Sequence, residues 1–439
     1  MSERLLPEGR GAINTVAVSA QLTAAVAELR STQTIRSRAA ALLERARRGE
    51  SAWFVVNDGA MVNTAALVAK MTRARYPDLN IPYHSRWRHF AAGGVDRAGQ
   101  LDRALEKACG TVSVAERARA RIDLALVSVL LDAGAGPDWR YREPPLGQQP
   151  GHEYSRSEGL GVASFHAFMS GLFSSSPAQP LQADARGLQT LTAGQLGDAF
   201  QVSASNPLVG LDGRAALLRR LGQALKDQPD IFGEPGRPGH LFDLLTRQQS
   251  GPAVIRAHAL LSVLLTGLAP IWPAQNAMEN VALGDCWRHP AAGDSEPPGS
   301  DSHGWMPFHK LSQWLTYSLM EPFEWAGVRV DGLDELTGLP EYRNGGLFLD
   351  AGVLRLKDAS QTERLHAPGD ELIVEWRALT VALLDELAPL VRVQLRLSPE
   401  QMPLACVLEG GTWAAGRALA QQLRDGRPPL NIQSDGTVF

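Results

Sequence analysis

Apolar residues recur at intervals of three and four positions along most of this chain, and this spacing constrains its fold more than any other feature. Side chains spaced in this way share one face of an α-helix, whereas a half-buried strand alternates at every second residue. One strand is expected, over residues 347–356, so the predicted fold is mainly α with at most a small β element. The pattern predicts helices over residues 13–30, 33–48, 59–75, 101–108, 114–131, 157–173, 212–225, 253–268, 308–325 and 371–393.

Two stretches without helical periodicity interrupt this pattern. Residues 132–149 are rich in Gly and Pro and predict a loop or a seam, and residues 270–307 predict a long loop. We therefore expect an N-terminal helical region, 1–135, and a helical catalytic region, 150–439, packed together as one compact unit. Within the second region, Asp212 has the side chain of a helix N-cap.

Composition excludes several classes of protein. Hydrophobic residues make up 44% and charged residues 21% of the chain, as in an ordinary globular protein. The net charge of −4 argues against a surface that neutralises many phosphates, and so against non-specific nucleic-acid binding as the main function, but it allows a local basic pocket for one phosphorylated small molecule. The three cysteines lie far apart, without the spacing of a disulfide framework or a zinc site. Without a secretory signal or a long apolar run, a cytoplasmic location is expected.

Residues 82–90 (PYHSRWRHF) place basic and aromatic side chains side by side. The arginines, Arg86 and Arg88, suit bidentate recognition of a phosphate or carboxylate, and His84 adds another donor. The alternative is a turn in which the arginines cap helix ends. His84 and His89 are five positions apart, which does not suit a metal-binding pair on one helix.

A second polar segment, residues 283–309, contains Asp285, Cys286, His289, His303 and His309. Such residues invite a metal interpretation, but their spacing matches no known metal signature. We predict instead that Asp285 and His309 belong to the rim of an active site or to a polar loop packed on a helix end.

The third segment runs from residue 308 to residue 350 and contains the predicted catalytic pair. Lys310, Gln313, Trp314 and Tyr317 fall at intervals that allow one helix face, and this composition favours a pocket wall over a core. Glu341 follows Leu339 and Pro340 and is expected to be partly desolvated and reactive.

The residues that follow Glu341 are expected to bind substrate with it. They are Tyr342 and Arg343, which precede a glycine pair, Gly345 and Gly346, where a sharp turn is expected. The alternative is a structural ion pair of Glu341 with Arg343 or Lys310.

Seven blocks of this sequence resemble the uracil catabolism protein 4 family, which belongs to the URC route of pyrimidine breakdown in fungi and bacteria. The resemblance extends from about residue 13 to the end, although residues 51–64 depart from the family pattern. The blocks are PYHSRWRHF (82–90), GLGVASFHAFMSGLFS (159–174), NPLVGLDGRAALLRRLG (206–222), RPGHLFD (237–243), GDCWRHP (284–290), PFHKLSQWLTYSLMEPFEW (307–325) and LTGLPEYRNGGLFLDAGVL (336–354).

A more distant resemblance links FHK (308–310) and LTGLPEYR (336–343) to the queuosine-nucleotide salvage glycosidases. The segment from Glu371 to Thr380, which includes Glu375, resembles a helix of the same family. This resemblance implies a helical fold like that of helix-hairpin-helix DNA glycosylases and hydrolysis of an N-ribosyl bond. By this comparison Lys310 would bind the 5′-phosphate or ribose. Glu341 would stand at the catalytic carboxylate, where that family has the shorter Asp.

These resemblances lead to a specific expectation of function. The chain is expected to be a hydrolase that cleaves the N-ribosyl bond of a ribosylurea or its 5′-phosphate and releases urea. It would act on this small substrate without a cofactor, metal, nucleic acid or membrane. Lys310 and Arg86, Arg88 or Arg343 would hold the anionic end, and Trp314, Tyr317 and Trp325 would line the leaving-group side. Two alternatives are a metal-dependent amidohydrolase acting on a ureide and a non-catalytic ligand- or nucleic-acid-binding module.

Overall fold

The computed structural model describes residues 20–145, 151–247, 252–272, 276–294, 296 and 299–433. Parts of three predicted elements lie outside these ranges: residues 13–19 of the first helix, 146–149 of the first loop, and 273–275, 295 and 297–298 of the second loop. The helices are α1 Ala20–Leu29, α2 Thr32–Arg47, α3 Met61–Arg75, α4 Arg86–Phe90, α5 Arg97–Cys109, α6 Val114–Leu130, α7 Arg156–Met169, α8 Ala185–Gln189, α9 Ala193–Ala199, α10 Leu211–Asp227, α11 Pro229–Phe232, α12 His240–Thr246, α13 Ala257–Gly267, α14 Lys310–Trp325, α15 Tyr342–Asp350, α16 Glu371–Leu395, α17 Leu404–Val407 and α18 Trp413–Arg424.

Strands in the described ranges are two or three residues long and pair only two at a time. They are β1 Phe54–Val56, β2 Tyr141–Glu143, β3 His152–Tyr154, β4 Val254–Arg256, β5 Ala277–Met278, β6 Val281–Ala282, β7 Cys286–Arg288, β8 Trp305–Pro307, β9 Arg329–Asp331, β10 Leu354–Leu356, β11 Leu365–His366 and β12 Asn431–Ile432. The pairs are β1–β10, β2–β3, β5–β6 and β7–β8, which are antiparallel, and β4–β9 and β11–β12, which are parallel. The predicted mainly α fold is therefore confirmed.

One continuous core runs from Ile35 to Leu430 and draws on both predicted regions. Its centre is formed by α14, whose residues from Leu311 to Phe323 are all buried, and by the long helix α16. Helix α14 packs on α6 and α13, while α16 packs on α2, α3 and α15. Of the helices in the described ranges, none combines the length and the apolar character needed to cross a membrane.

Three local predictions were wrong. The predicted strand 347–356 is helical up to Asp350, and only Leu354–Leu356 is a strand. A short buried apolar run does not distinguish the two structures, and the Glu341 cap that starts α15 decides for helix. Asp212 lies inside the first turn of α10, whose N-cap is Gly210 in the left-handed region.

The third wrong prediction concerns Gly345 and Gly346, which lie inside α15 and do not form a sharp turn. A Cβ at residue 345 would come within 2.7 Å of the Trp376 ring. These glycines therefore allow close packing of α15 on its neighbours. That packing fixes the position of Glu341 at the start of the helix.

Candidate active site

A cavity of about 580 Å³ lies where several separated segments of the chain meet. They include the start of α14, the turn before α15, the loop after α6, the start of α18 and the segment after α18. Their lining side chains include Lys310, Trp314, Leu339, Glu341, Tyr342, Arg343, Asp132, Trp413, Pro428, Leu430 and Ile432, together with His84 and His89. The volume is in the range typical of small-ligand sites.

Glu341 is the N-cap residue of α15, and its carboxylate is held by the backbone. Its two oxygens accept hydrogen bonds from the N–H of Asn344 at 2.6 Å and of Arg343 at 3.0 Å. Both bonds satisfy N–H groups that have no partner within the first turn of the helix, and they fix the orientation of the carboxylate. Neither of the expected structural ion pairs of Glu341, with Arg343 or with Lys310, is present at 4.0 Å or less among the described residues.

Lys310 begins α14 and shares a face with Trp314, one turn further along the helix. Its backbone N–H donates to Asp285, 2.9 Å away, while its side chain is half-buried in the cavity. Burial lowers the pKa of Lys310 below its usual value, and the charges of Glu341 and Asp132 oppose this shift. The ammonium group forms no ion pair within the described part of the chain, so it remains available to an anion.

His84 is oriented by a buried carboxylate from a distant helix turn. Its Nδ1 lies 2.8 Å from Oε2 of Glu409, whose other oxygen accepts from Arg75 and Tyr76. Burial acts to raise the pKa of Glu409, but His84 and Arg75 outweigh it and bring that pKa down to about 2. The ionised Glu409 therefore accepts from Nδ1–H, and this contact determines which ring nitrogen of His84 carries that proton.

Glu409 lies in a π-helical turn, Leu408–Thr412, all of whose residues are buried. Such turns are rare and are frequently found at functional sites. The next residue, Trp413, lines the cavity, and the guanidinium of Arg343 stacks over its ring with 4.1 Å between the guanidinium carbon and the ring centroid. This stacking fixes Arg343, which is itself buried, beside Glu341.

Asp132, His89 and Arg86 form a second polar group on the cavity. Arg86 Nη1 lies 2.9 Å from Asp132 Oδ1, and its Nε donates to Ser128 at 2.6 Å. Burial acts to raise the pKa of Asp132, but Arg86 and His89 outweigh it, so that pKa is below its usual range. Burial and the charge of Arg86 lower the pKa of His89 to about 4, so His89 is neutral at pH 7.

Arg214 of α10 fixes the backbone of the loop that carries Asp132. This fully buried guanidinium donates to the carbonyl oxygens of Leu131, Ala133 and Gly134, at 3.1 Å for Ala133 and 2.9 Å for Gly134. The position of Asp132 therefore depends on a residue that the sequence places in a different helical block.

Of the predicted site residues, Lys310, Glu341, Trp314, Tyr342, Arg343 and His84 line the cavity, and Arg86 contacts its lining residue Asp132. Gln313 and Tyr317 do not line the cavity. Gln313 donates to Thr337 Oγ1 at 2.6 Å, and the Tyr317 hydroxyl donates to the Thr337 carbonyl at 2.9 Å. The four residues share one helix face, as their spacing predicts, but only Lys310 and Trp314 on that face reach the cavity, whereas Gln313 and Tyr317 are covered by the segment that carries Thr337.

Other predicted residues make structural contacts away from the cavity. Arg88 donates to Glu321 at 2.6 Å. Trp325, whose side chain is partly exposed, packs edge-on against Trp87, with ring centroids 4.7 Å apart. Arg86 and Arg88, neighbours in the same predicted donor cluster, thus point to different partners.

Asp285 and His309 lie on a different, smaller cavity. Asp285 accepts two hydrogen bonds from Arg377, both 2.8 Å long, and these outweigh burial and hold its pKa well below the usual range. His309 Nε2 lies 2.9 Å from the Leu29 carbonyl. Asp285 therefore caps the start of α14 by accepting the backbone N–H of Lys310, and it does not line the larger cavity.

Glu375 is buried and belongs to a group with His289 and Glu371 whose ligand atoms lie within 4.8 Å of one another. Its oxygens contact the Ser51 hydroxyl and His289 Nε2, the latter at 3.2 Å. The other ring nitrogen of His289, Nδ1, accepts the backbone N–H of Ala291 at 3.2 Å. The proton of neutral His289 therefore sits on Nε2, which opposes metal coordination by that atom.

Sequence reasoning missed Asp132, Glu409 and Trp413. Asp132 was assigned only to a loop, and its role depends on packing against Arg86. For Glu409 and Trp413, the sequence feature that could have indicated a site is the single charged residue, Glu409, within the uncharged segment 404–413. A buried carboxylate requires a partner, which is here His84.

Comparison with known proteins extends over almost the whole chain. The family model described as "Protein of unknown function (DUF1688)" matches residues 28–439. Protein urg3 of Schizosaccharomyces pombe is 41% identical over 426 residues, which cover 95% of this chain and 100% of that protein. Uracil catabolism protein 4 of Lachancea kluyveri is 39% identical over 388 residues, which cover 82% of this chain and 85% of that protein.

Proposed function

The chain belongs to the DUF1688 family, and one protein similar to it is named for uracil catabolism. We therefore propose that it is an enzyme of uracil breakdown. Its reaction is hydrolysis of the N-ribosyl bond in a ring-opened uracil nucleoside or nucleotide. The substrate is a ribosylurea or its 5′-phosphate, and one product is urea. The observation that carries this proposal is the presence of Lys310 and Glu341 on one cavity of suitable size.

Glu341 has the properties that this reaction requires. Breaking a C1′–N bond builds positive charge on the ribose, as in other glycoside hydrolyses. A carboxylate that is already held by two backbone N–H groups needs no reorganisation to stabilise that charge or to orient the attacking water. Glu341 is therefore assigned to the ribose C1′.

Proton transfer is assigned to His84. Water must lose a proton as it attacks C1′, and the urea nitrogen must gain one as it leaves. Glu409 occupies the Nδ1 side of His84, so the Nε2 atom is the one that can accept or return a proton in the cavity. Glu341 and His84 together supply the two groups that such a reaction uses.

The anionic end of a phosphorylated substrate is assigned to Lys310 and Arg343. Lys310 presents an ammonium group without an ion-pair partner in the described ranges, and Arg343 is fixed over Trp413. An arginine held in one orientation binds phosphate oxygens in a defined geometry, whereas a lysine acts as a point charge.

The direct test is incubation of the purified protein with ribosylurea 5′-phosphate, with urea and ribose 5-phosphate measured as products. Glu341→Gln should lower kcat by about 10²-fold or more, because the charge at C1′ is lost. Asp96→Asn is the matched control, since Asp96 is also an N-cap carboxylate but is exposed and does not line the cavity. Absence of urea, or full activity of Glu341→Gln, would rule out this function.

A further inference from the structure

Four buried polar atoms without a hydrogen-bond partner are grouped at the Trp314 side of the cavity. They are Arg86 Nη2, His89 Nδ1, Asp132 Oδ1 and Trp314 Nε1. Buried polar groups are almost always hydrogen-bonded, and leaving one unsatisfied costs free energy. Four such atoms in one place indicate that a bound group satisfies them.

Short distances connect the four residues. The His89 and Trp314 ring centroids are 5.8 Å apart, and the Arg86 guanidinium carbon is 5.7 Å from the Trp314 ring centroid. Arg86 Nη1 is 2.9 Å from Asp132 Oδ1 in an ion pair, and a carboxylate oxygen has two lone pairs, so this oxygen keeps acceptor capacity for a further donor. His89, Asp132 and Trp314 also line the same cavity.

The atoms differ in hydrogen-bonding role, which restricts the ligand. Arg86 Nη2 and Trp314 Nε1 are donors only, whereas the Asp132 oxygen accepts. A matching group must therefore offer both an acceptor and a hydrogen-bond donor close together, as the carbonyl oxygen and N–H groups of a ureido group do. A phosphate offers acceptors and is repelled by the Asp132 carboxylate, so it fits this end poorly.

We infer that Asp132, Arg86, His89 and Trp314 form a subsite for the neutral ureido group of the substrate. In this arrangement the ureido carbonyl oxygen accepts from Arg86 and Trp314, and a ureido N–H donates to Asp132. Lys310 and Arg343 then remain for the ribose phosphate. This assignment rests on the proposed function and fixes which end of the substrate lies where.

Binding measurements on the Glu341→Gln background test the subsite without turnover. N-ribosylurea and ribose 5-phosphate are titrated calorimetrically into this variant and into the double variant that adds Asp132→Asn. Asn keeps one acceptor oxygen but removes the negative charge that strengthens a hydrogen bond from the ureido N–H, so affinity for ribosylurea should fall by about tenfold or more, while affinity for ribose 5-phosphate stays within about twofold. Asp138→Asn, an exposed change in the same loop, should alter neither affinity.

Trp314→Phe provides a second variant that keeps an aromatic ring but removes the Nε1–H together with part of the indole. It should also weaken ribosylurea selectively, which covers the case in which Asp132→Asn does not fold. Equal losses for both ligands, unchanged ribosylurea affinity, or no ribosylurea binding at all would overturn the subsite. If ribosylurea binds in this selective way but the wild-type protein does not hydrolyse it or its 5′-phosphate, the proposed function fails and the subsite stands.

Discussion

Nδ1 of His84 lies 2.8 Å from Oε2 of Glu409, although 325 positions separate the two residues in the sequence. Glu409 also accepts from Arg75 and Tyr76, so both of its oxygens are engaged. This arrangement resembles the carboxylate–histidine pairs in which the acid fixes the tautomer of the ring. The pair gives the cavity an imidazole ring whose Nδ1 is bonded to Glu409, so that Nε2 is the nitrogen assigned to proton transfer.

His84→Gln is expected to lower kcat by about 10²-fold, because general acid–base catalysis by a positioned side chain contributes on that scale. The pH dependence of kcat should also change, because a general acid–base group has been removed, while binding of ribose 5-phosphate should change little. His152→Gln, an exposed change on β3, serves as the control. An unaltered kcat and pH profile would contradict the role of His84 in proton transfer.

Glu409 should make stability depend on pH in the acid range. Its folded-state pKa of about 2 lies below the usual 4.5, so its stabilising effect is complete above pH 4.5 and is lost as the pH falls from 4.5 toward 2. Between pH 6 and pH 3 the advantage of the wild type over Glu409→Gln should shrink by about 2 kcal/mol. The measurement is guanidinium unfolding of both proteins at these two pH values. A difference independent of pH would show that Glu409 titrates normally.

Lys310→Met should discriminate between substrates that differ only in the phosphate. The change removes the ammonium charge, so KM for ribosylurea 5′-phosphate is expected to rise by about tenfold or more, whereas KM for ribosylurea should rise much less. Steady-state kinetics with both substrates measure this, and Lys70→Met on the exposed side of α3 is the control. The same factor for both substrates would place Lys310 elsewhere than at the phosphate.

Gly416→Ala should disturb the site through packing. A Cβ at residue 416 of α18 would overlap the carbonyl oxygen of Arg343 in α15. Because backbone cannot move aside as a side-chain tip can, we expect a loss of about 2 kcal/mol in the free energy of unfolding and a lower kcat. Gly194→Ala, in a helix with open space around the residue, should be neutral or slightly stabilising when both proteins are unfolded in guanidinium. Equal stability of the two variants would contradict this account of the α15–α18 contact.

The spacing and type of neighbouring residues determined most of the helices and part of the candidate site. Apolar spacing is a property of neighbouring residues, so α2, α6, α14 and α16 could be predicted within a few positions. Helical geometry also predicted that Lys310 and Trp314 lie next to each other on one face of α14, since they are four residues apart.

Only the tertiary structure decided which distant groups meet. Asp132 reaches the cavity because Arg214 and Arg86 hold its loop, and Glu409 reaches His84 because α3 packs on the π-helical turn. Glu341 remained ambiguous in sequence between an ion pair and a reactive carboxylate, and folding made it a helix cap that faces the cavity. The direction of a side chain depends on which faces of its helix are buried by others, and that information lies in residues hundreds of positions away.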